Sequence, residues 1–133
     1  MSGGGLLDPD GATAYLASWK NRIDKMAADT QAMSDRLGEL RVTAEDDNGL
    51  AEVTIDASGV LVDVRFTDRI QRVAPDVVSR AVLGALRAAR LTAAERSRRI
   101  ITETMGPDSV AARTITERIE KQLLGPDAEQ PDE

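Results

Sequence analysis

The most prominent candidates for chemistry in this chain are arginines on one predicted helix. Arg80, Arg87 and Arg98 are spaced by 7 and 11 residues, and at about 100° per residue these steps bring the three side chains to within about 20° of one face. Arg96 and Arg99 add positive charge near the end of the same helix. Guanidinium groups along a helix can neutralise the phosphates of a nucleic acid, so this helix is a candidate phosphate contact.

A second basic group lies near the start of the first predicted helix and consists of Lys20, Arg22 and Lys25. The alternative interpretation of the arginines is an ordinary solvated face, on which Glu95 pairs with a neighbouring arginine at local helix spacing. No aromatic residue lies among the arginines, so stacking on single-stranded bases is not expected.

The composition excludes most familiar catalytic sites. The 133 residues include no Cys and no His, which rules out disulfides, thiol catalysis, zinc fingers, Ser-His-Asp triads and His-ligated metals. The acidic run at 45–47 precedes Gly49 as in a calcium loop, but the positions that would need carboxylates hold Ala44 and Ile55. We therefore expect no catalytic residue, metal, cofactor or small-molecule substrate.

The net charge of −6 is distributed unevenly along the chain. Residues 39–68 contain 2 basic and 8 acidic residues, residues 77–105 contain 6 and 2, and residues 106–133 contain 3 and 7. The segment 77–105, which is nearly all of the predicted second helix, can therefore face phosphate, whereas the two acidic segments cannot.

The elements that position these groups begin with a helix predicted over residues 12–38. Its apolar residues follow an a/d heptad pattern, and the first five define a candidate dimer interface: Leu16, Trp19, Ile23, Met26 and Met33. Such a helix is about 40 Å long, whereas a seven-residue strand spans about 24 Å. Because one small sheet cannot cover the stripe, we expect a second copy to do so and predict a homodimer.

Residues 40–66 alternate between apolar and polar types and predict a three-stranded antiparallel meander. A two-residue turn at Asn48-Gly49 pairs Val42 with Ile55, and a turn at Ser58-Gly59 pairs Ile55 with Val62. This register places the apolar residues on one face of the sheet.

A second helix is predicted from about Pro75 to Met105, and the phase of its apolar residues predicts that its cover ends near Ala93. A further helix is predicted over 108–124. The chain is expected to begin with a flexible lead at 1–10 and to end with an acidic disordered tail at 125–133. We expect the start of the first helix and the end of the second to project together beyond the sheet. The chain has no recognisable secretory signal or membrane-spanning run, so we expect a cytoplasmic protein with no membrane partner.

The sequence resembles the YbaB/EbfC family of bacterial nucleoid-associated proteins over roughly residues 20–105. The most specific part is residues 40–59, where four features follow in the family's order and spacing: Val42-Thr43-Ala44, Gly49-Leu50-Ala51, Val53-Thr54-Ile55 and Gly59. The heptad helix before this region and the Ala-rich helix after it also correspond.

The resemblance implies an α+β fold of the order α-β-β-β-α and a tweezer-like homodimer, with residues 11–105 as the dimerisation and DNA-binding domain. It implies a nucleoid-associated protein that binds double-stranded DNA with little sequence specificity and is not an enzyme. The residues it implies as DNA contacts are Lys20, Arg22, Lys25, Arg96, Arg98 and Arg99. The alternative is a dimeric scaffold or chaperone-like module that binds another protein instead of DNA, associated with a secretion system.

Overall fold

The computed structural model describes residues 9–125. In chain order they form helix α1 (Pro9–Glu39), strands β1 (Arg41–Glu45), β2 (Ala51–Asp56) and β3 (Leu61–Phe66), a 3-10 helix (Asp68–Arg72), helix α2 (Pro75–Met105) and helix α3 (Val110–Leu124). The predicted α+β order, with a three-stranded antiparallel sheet and an added C-terminal helix, is confirmed. Of the predicted lead at 1–10 and tail at 125–133, all but residues 9, 10 and 125 lie outside the described residues.

The register of β1 and β2 is the one predicted from the alternation. Val42 pairs with Ile55, and Thr43 pairs with Thr54. Val42, Val53 and Ile55 are fully buried on the inner face, whereas the two threonine hydroxyls share a hydrogen bond of 2.8 Å on the outer face.

The connection between β1 and β2 is not the predicted two-residue turn but a longer loop organised by Asp46. Its carboxylate accepts hydrogen bonds from the backbone N–H groups of Leu50 and Ala51, both at 2.8 Å, and of Asn48 at 3.0 Å. Burial alone would raise the pKa of the Asp46 carboxyl, but these hydrogen bonds outweigh that effect and lower the pKa. The register is preserved because Asp46 still lies opposite Ala51, whose carbonyl accepts its N–H at 3.2 Å.

The predicted pairing of β2 with β3 is correct only as far as Thr54, whose partner is Asp63. Beyond that point the prediction is wrong, because Ile55 pairs with Leu61 instead of Val62. The shift is a bulge, which bends a strand and leaves one residue unpaired.

The side chain of Asp56 accounts for this bulge, since it organises the connection to β3. Its Oδ1 accepts the N–H groups of Ser58 at 2.8 Å and Val60 at 3.0 Å. Gly59 completes the turn with a φ of 86°, a value that favours glycine.

α2 packs across β1 and β2 through a line of small residues on the helix itself. Ala85, Ala89 and Ala93 are fully buried against the apolar face of these strands. Because an alanine side chain ends at Cβ, the helix axis can approach the sheet closely. β3 lies beyond this cover, and three of its apolar side chains remain about half exposed: Leu61, Val62 and Phe66.

One face of the second half of α2 is also buried, which corrects the prediction that its cover ends near Ala93. Ser97, Ile100 and Ile101 are all buried. The buried line advances mainly in steps of four residues, and each such step rotates by about 40° around the helix. Arg96 therefore lies on the surface and not in the buried stripe.

α3 supplies this additional cover by folding back along α2. Ser109 caps its start, with its hydroxyl accepting the N–H of Ala112 at 3.1 Å. Near its end Leu123 is only 2% exposed and joins the core formed by the sheet and α2. The neighbouring Gln122 donates a hydrogen bond to the carbonyl of Ser58 at 3.3 Å, so α3 is tied to the sheet as well as to α2.

α1 packs against the rest of the described chain through its C-terminal half. Met33 is buried against Ile101 and Ala112, and Arg36 donates to Glu103 at 2.8 Å. Residues 9–28 of the same helix account for about 30 Å of its length. The large apolar side chains of this half are between 44% and 63% exposed: Tyr15, Leu16, Trp19, Ile23 and Met26.

Candidate nucleic-acid interface

The basic group of α1 lies on its exposed N-terminal half. Lys20, Arg22 and Lys25 are all exposed. At about 100° per residue, Lys20 and Arg22 flank the apolar stripe on opposite sides and Lys25 points away from it. Lys25 forms an ion pair with Asp29 at 2.9 Å, one turn along the same helix.

The basic group of α2 spreads over nearly half of the circumference of the helix, on the side opposite its buried face. Arg96 and Arg98 are two residues apart and therefore differ by about 200° in direction. Arg99 lies between these two directions, and all three side chains are exposed.

The partner of Arg98 is Glu120 of α3, with which it forms an ion pair. This differs from the alternative considered from the sequence, in which Glu95 was the local partner. Within the described chain, neither Arg96 nor Arg99 forms an ion pair. The long separation of Arg98 from Glu120 in the chain explains why helix spacing alone did not identify the pair.

The structure brings part of the α1 group to the corner where α2 meets α3. Arg22 and Lys25 line a groove of about 440 Å³ together with Met105 and residues 109–111. Arg98 lines a different groove, on the side of α2 that faces α3. Arg22 and Lys25 thus lie beside the end of α2, whereas Arg98 opens onto a different surface.

The sequence analysis missed two basic residues of α3 that lie close to Arg98. Arg118 and Lys121 are exposed and line the same groove as Arg98, which has a volume of about 790 Å³. Neither forms an ion pair within residues 9–125. Their position depends on how α3 docks on α2, so no local pattern in the sequence could have identified them.

The chemistry of these surfaces is that of exposed, permanently charged donors. Lysine and arginine side chains on projecting helices contact phosphate oxygens and position a protein on a duplex, without reading its bases. In the described part of the chain, no helix combines the length and the apolar character that a membrane crossing requires.

Comparison with known protein families identifies the family of this chain. The model of the YbaB/EbfC DNA-binding family matches residues 16–107, which confirms the resemblance noted in the sequence. The match runs from the second turn of α1 to just beyond α2, and α3 lies outside it. No curated protein matches the chain.

Proposed function

Because the chain belongs to the YbaB/EbfC DNA-binding family, we propose that this nucleoid-associated DNA-binding protein acts in the cytoplasm as a homodimer, binding double-stranded DNA with little sequence specificity. The observation that carries the proposal is the exposed N-terminal half of α1, where an apolar stripe lies between basic side chains. The proposal includes no catalytic step, cofactor or metal.

The apolar stripe of α1 supports the dimer. Burial of a large apolar side chain stabilises a protein by about 1.5–3 kcal/mol, so several such residues at heptad spacing favour a helical partner. Met33 packs inside its own protomer, which narrows the proposed interface to the remaining predicted residues: Leu16, Trp19, Ile23 and Met26.

The charges beside the stripe support DNA binding by the same dimer. If two α1 helices pair along the stripe, Lys20 and Arg22 lie at the rim of the interface and Lys25 lies outside it. The two protomers then present two copies of each cation, which suits contact with phosphates on either side of a groove. Phosphates are the same in every sequence, so this mode of binding discriminates weakly between duplexes.

The experiment that tests the function is fluorescence anisotropy with a random-sequence duplex of about 30 base pairs, at salt concentrations of about 50 and 200 mM. We expect binding that weakens steeply with salt and is equal for a second duplex of unrelated sequence. The Lys20→Ala/Arg22→Ala variant removes four cations from a dimer, so the slope of log affinity against log salt should fall by up to about 3.6.

The matched control is Arg41→Ala/Arg65→Ala, which removes two exposed arginines from the sheet. It should bind like the wild type, and an equal loss in both variants would contradict the assignment to α1.

Light scattering on the same samples tests the dimer and should give twice the chain mass of 14.3 kDa. We expect Ile23→Glu to give the monomer mass and Val62→Glu, on the exposed edge of the sheet, to leave the dimer intact. The reverse result would place the interface on β3.

A specific observation also favours the scaffold alternative. Leu83 and Leu91 are more than half exposed on α2. They line a groove of about 420 Å³ together with three further leucines and two arginines: Leu86, Leu123, Leu124, Arg87 and Arg90. Exposed leucines that line a groove suit the apolar side chains of a protein partner better than a phosphate backbone. If no duplex binding is detected at tens of micromolar protein and low salt, this second function replaces the first.

A further inference from the structure

The helix that lies outside the matched family segment contacts Arg98, one of the residues that the family resemblance implies as DNA contacts. α3 begins at Val110, whereas the family match ends at residue 107. Glu120 of this helix forms an ion pair with Arg98 of α2. A feature outside the family segment thus acts directly on a residue inside it.

Arg98 differs in this respect from the other arginines at the end of α2. Within residues 9–125, Arg96 and Arg99 are exposed and form no ion pair. Arg98 is also largely exposed, with 57% of its side chain accessible, but its guanidinium is held by a carboxylate from a separate helix. Glu120 is the more covered of the two partners, so the carboxylate is held in place while the arginine lies at the surface.

The groove around this pair carries charges of both signs. Arg98, Arg118 and Lys121 supply three cations, and Glu117 and Glu120 supply two carboxylates. Of the two carboxylates, only Glu120 pairs with Arg98. A phosphate that approaches Arg98 therefore meets a carboxylate that already accepts from one of its guanidinium nitrogens, in addition to the repulsion between like charges.

We propose that Glu120 limits the DNA affinity of this protein by holding Arg98, so that α3 decides whether Arg98 adds a phosphate contact to those made by α1. This inference rests on the proposed DNA-binding function. The pair is exposed, and exposed ion pairs are weak and readily exchanged. Glu120 therefore reduces binding without abolishing it, and loss of its charge frees Arg98 for a phosphate.

The expected size of the effect follows from counter-ion release. Each additional phosphate that the protein neutralises steepens the slope of log affinity against log salt by about 0.9. A Glu120→Gln homodimer frees two arginines, so the slope should steepen by up to about 1.8. Between about 50 and 200 mM salt, the ratio of variant to wild-type affinity should then change by about 3.5-fold for each arginine that binds a phosphate.

The test compares four variants of the full chain with the wild type, on the same random-sequence duplex. Glu120→Gln should bind more tightly at low salt, and Arg98→Ala should bind more weakly than the wild type. The increase in affinity from Glu120→Gln should disappear in the Arg98→Ala/Glu120→Gln double variant. Glu117→Gln is the matched control, because it removes the same charge from the same helix and groove without touching the ion pair. It should give less than half of the increase.

The outcomes separate this inference from the proposed function. If the wild type binds DNA and Glu120→Gln binds equally tightly, the role of Glu120 is refuted while DNA binding stands. An equal increase from Glu117→Gln, or an increase that persists without Arg98, shows a general charge effect and also overturns the inference. If neither the wild type nor any variant binds DNA, both proposals are wrong. Equal thermal unfolding of all the variants shows that the differences do not arise from misfolding.

Discussion

Replacement of Leu123 by Ala tests whether α3 is part of the core. Leu123 is 2% exposed and packs with residues of the sheet and of α2. Its Cδ2 lies 3.2 Å from the position that a Cβ would occupy on Gly59. The side chain thus fills the space between the end of α3 and the turn that leads into β3.

The magnitude follows from the atoms removed and the cavity left behind. A buried Leu→Ala substitution costs about 2–5 kcal/mol, depending on how far the surroundings relax. Because Leu123 lies near the end of its helix, where relaxation is easier, we expect a loss of about 3 kcal/mol. For a domain of this size, that corresponds to a fall of roughly 10 °C in melting temperature.

The assay is urea unfolding followed by circular dichroism, at one fixed protein concentration because self-association shifts apparent stability. Val110→Ala is the matched control, since Val110 lies on the same helix and is 73% exposed. It should change the unfolding free energy by no more than about 0.5 kcal/mol. If Leu123→Ala and Val110→Ala differ by less than about 1 kcal/mol, the assignment of α3 to the core is wrong.

Two further predictions concern polar groups elsewhere in the fold. Asp46→Asn should cost about 2 kcal/mol at neutral pH, because the variant loses a charged acceptor of three backbone hydrogen bonds. The folded pKa of Asp46 is lowered, so its stabilisation is complete above the unfolded pKa of about 3.9 and is lost as the pH falls through the folded pKa. Urea unfolding should therefore show a difference between wild type and variant that shrinks below about pH 4, and a constant difference would contradict this account. Ser97→Ala should stabilise the protein by about 1 kcal/mol, because the buried Ser97 hydroxyl has no hydrogen-bond partner in the described chain. A loss of stability in the same assay would show that the hydroxyl has a partner.

The local features of the fold could be predicted because they depend on short-range spacing. The strand alternation and the turn residues placed Val42 opposite Ile55, since a slip of one residue would move every apolar side chain to the wrong face. The heptad spacing of α1 and the Gly-Pro pair after Met105 likewise indicated long helices near their observed bounds. Where a side chain caps a turn, the prediction was less accurate: at Asp46 the register was predicted correctly but the loop was not, and at Asp56 the register beyond Thr54 was also wrong.

What only the tertiary structure decided is the position of α3 and everything that follows from it. Its amphipathic pattern indicated a helix but not a docking site, because many arrangements of two helices and a sheet bury a similar apolar area. The observed arrangement brings Leu123 to the turn at Gly59 and Glu120 to Arg98. These residues are far apart in the chain, and their contacts depend on the relative orientation of whole elements. The sequence by itself therefore determined the helices, the strands and the basic residues, whereas the docking of the helices decided which of those residues are paired.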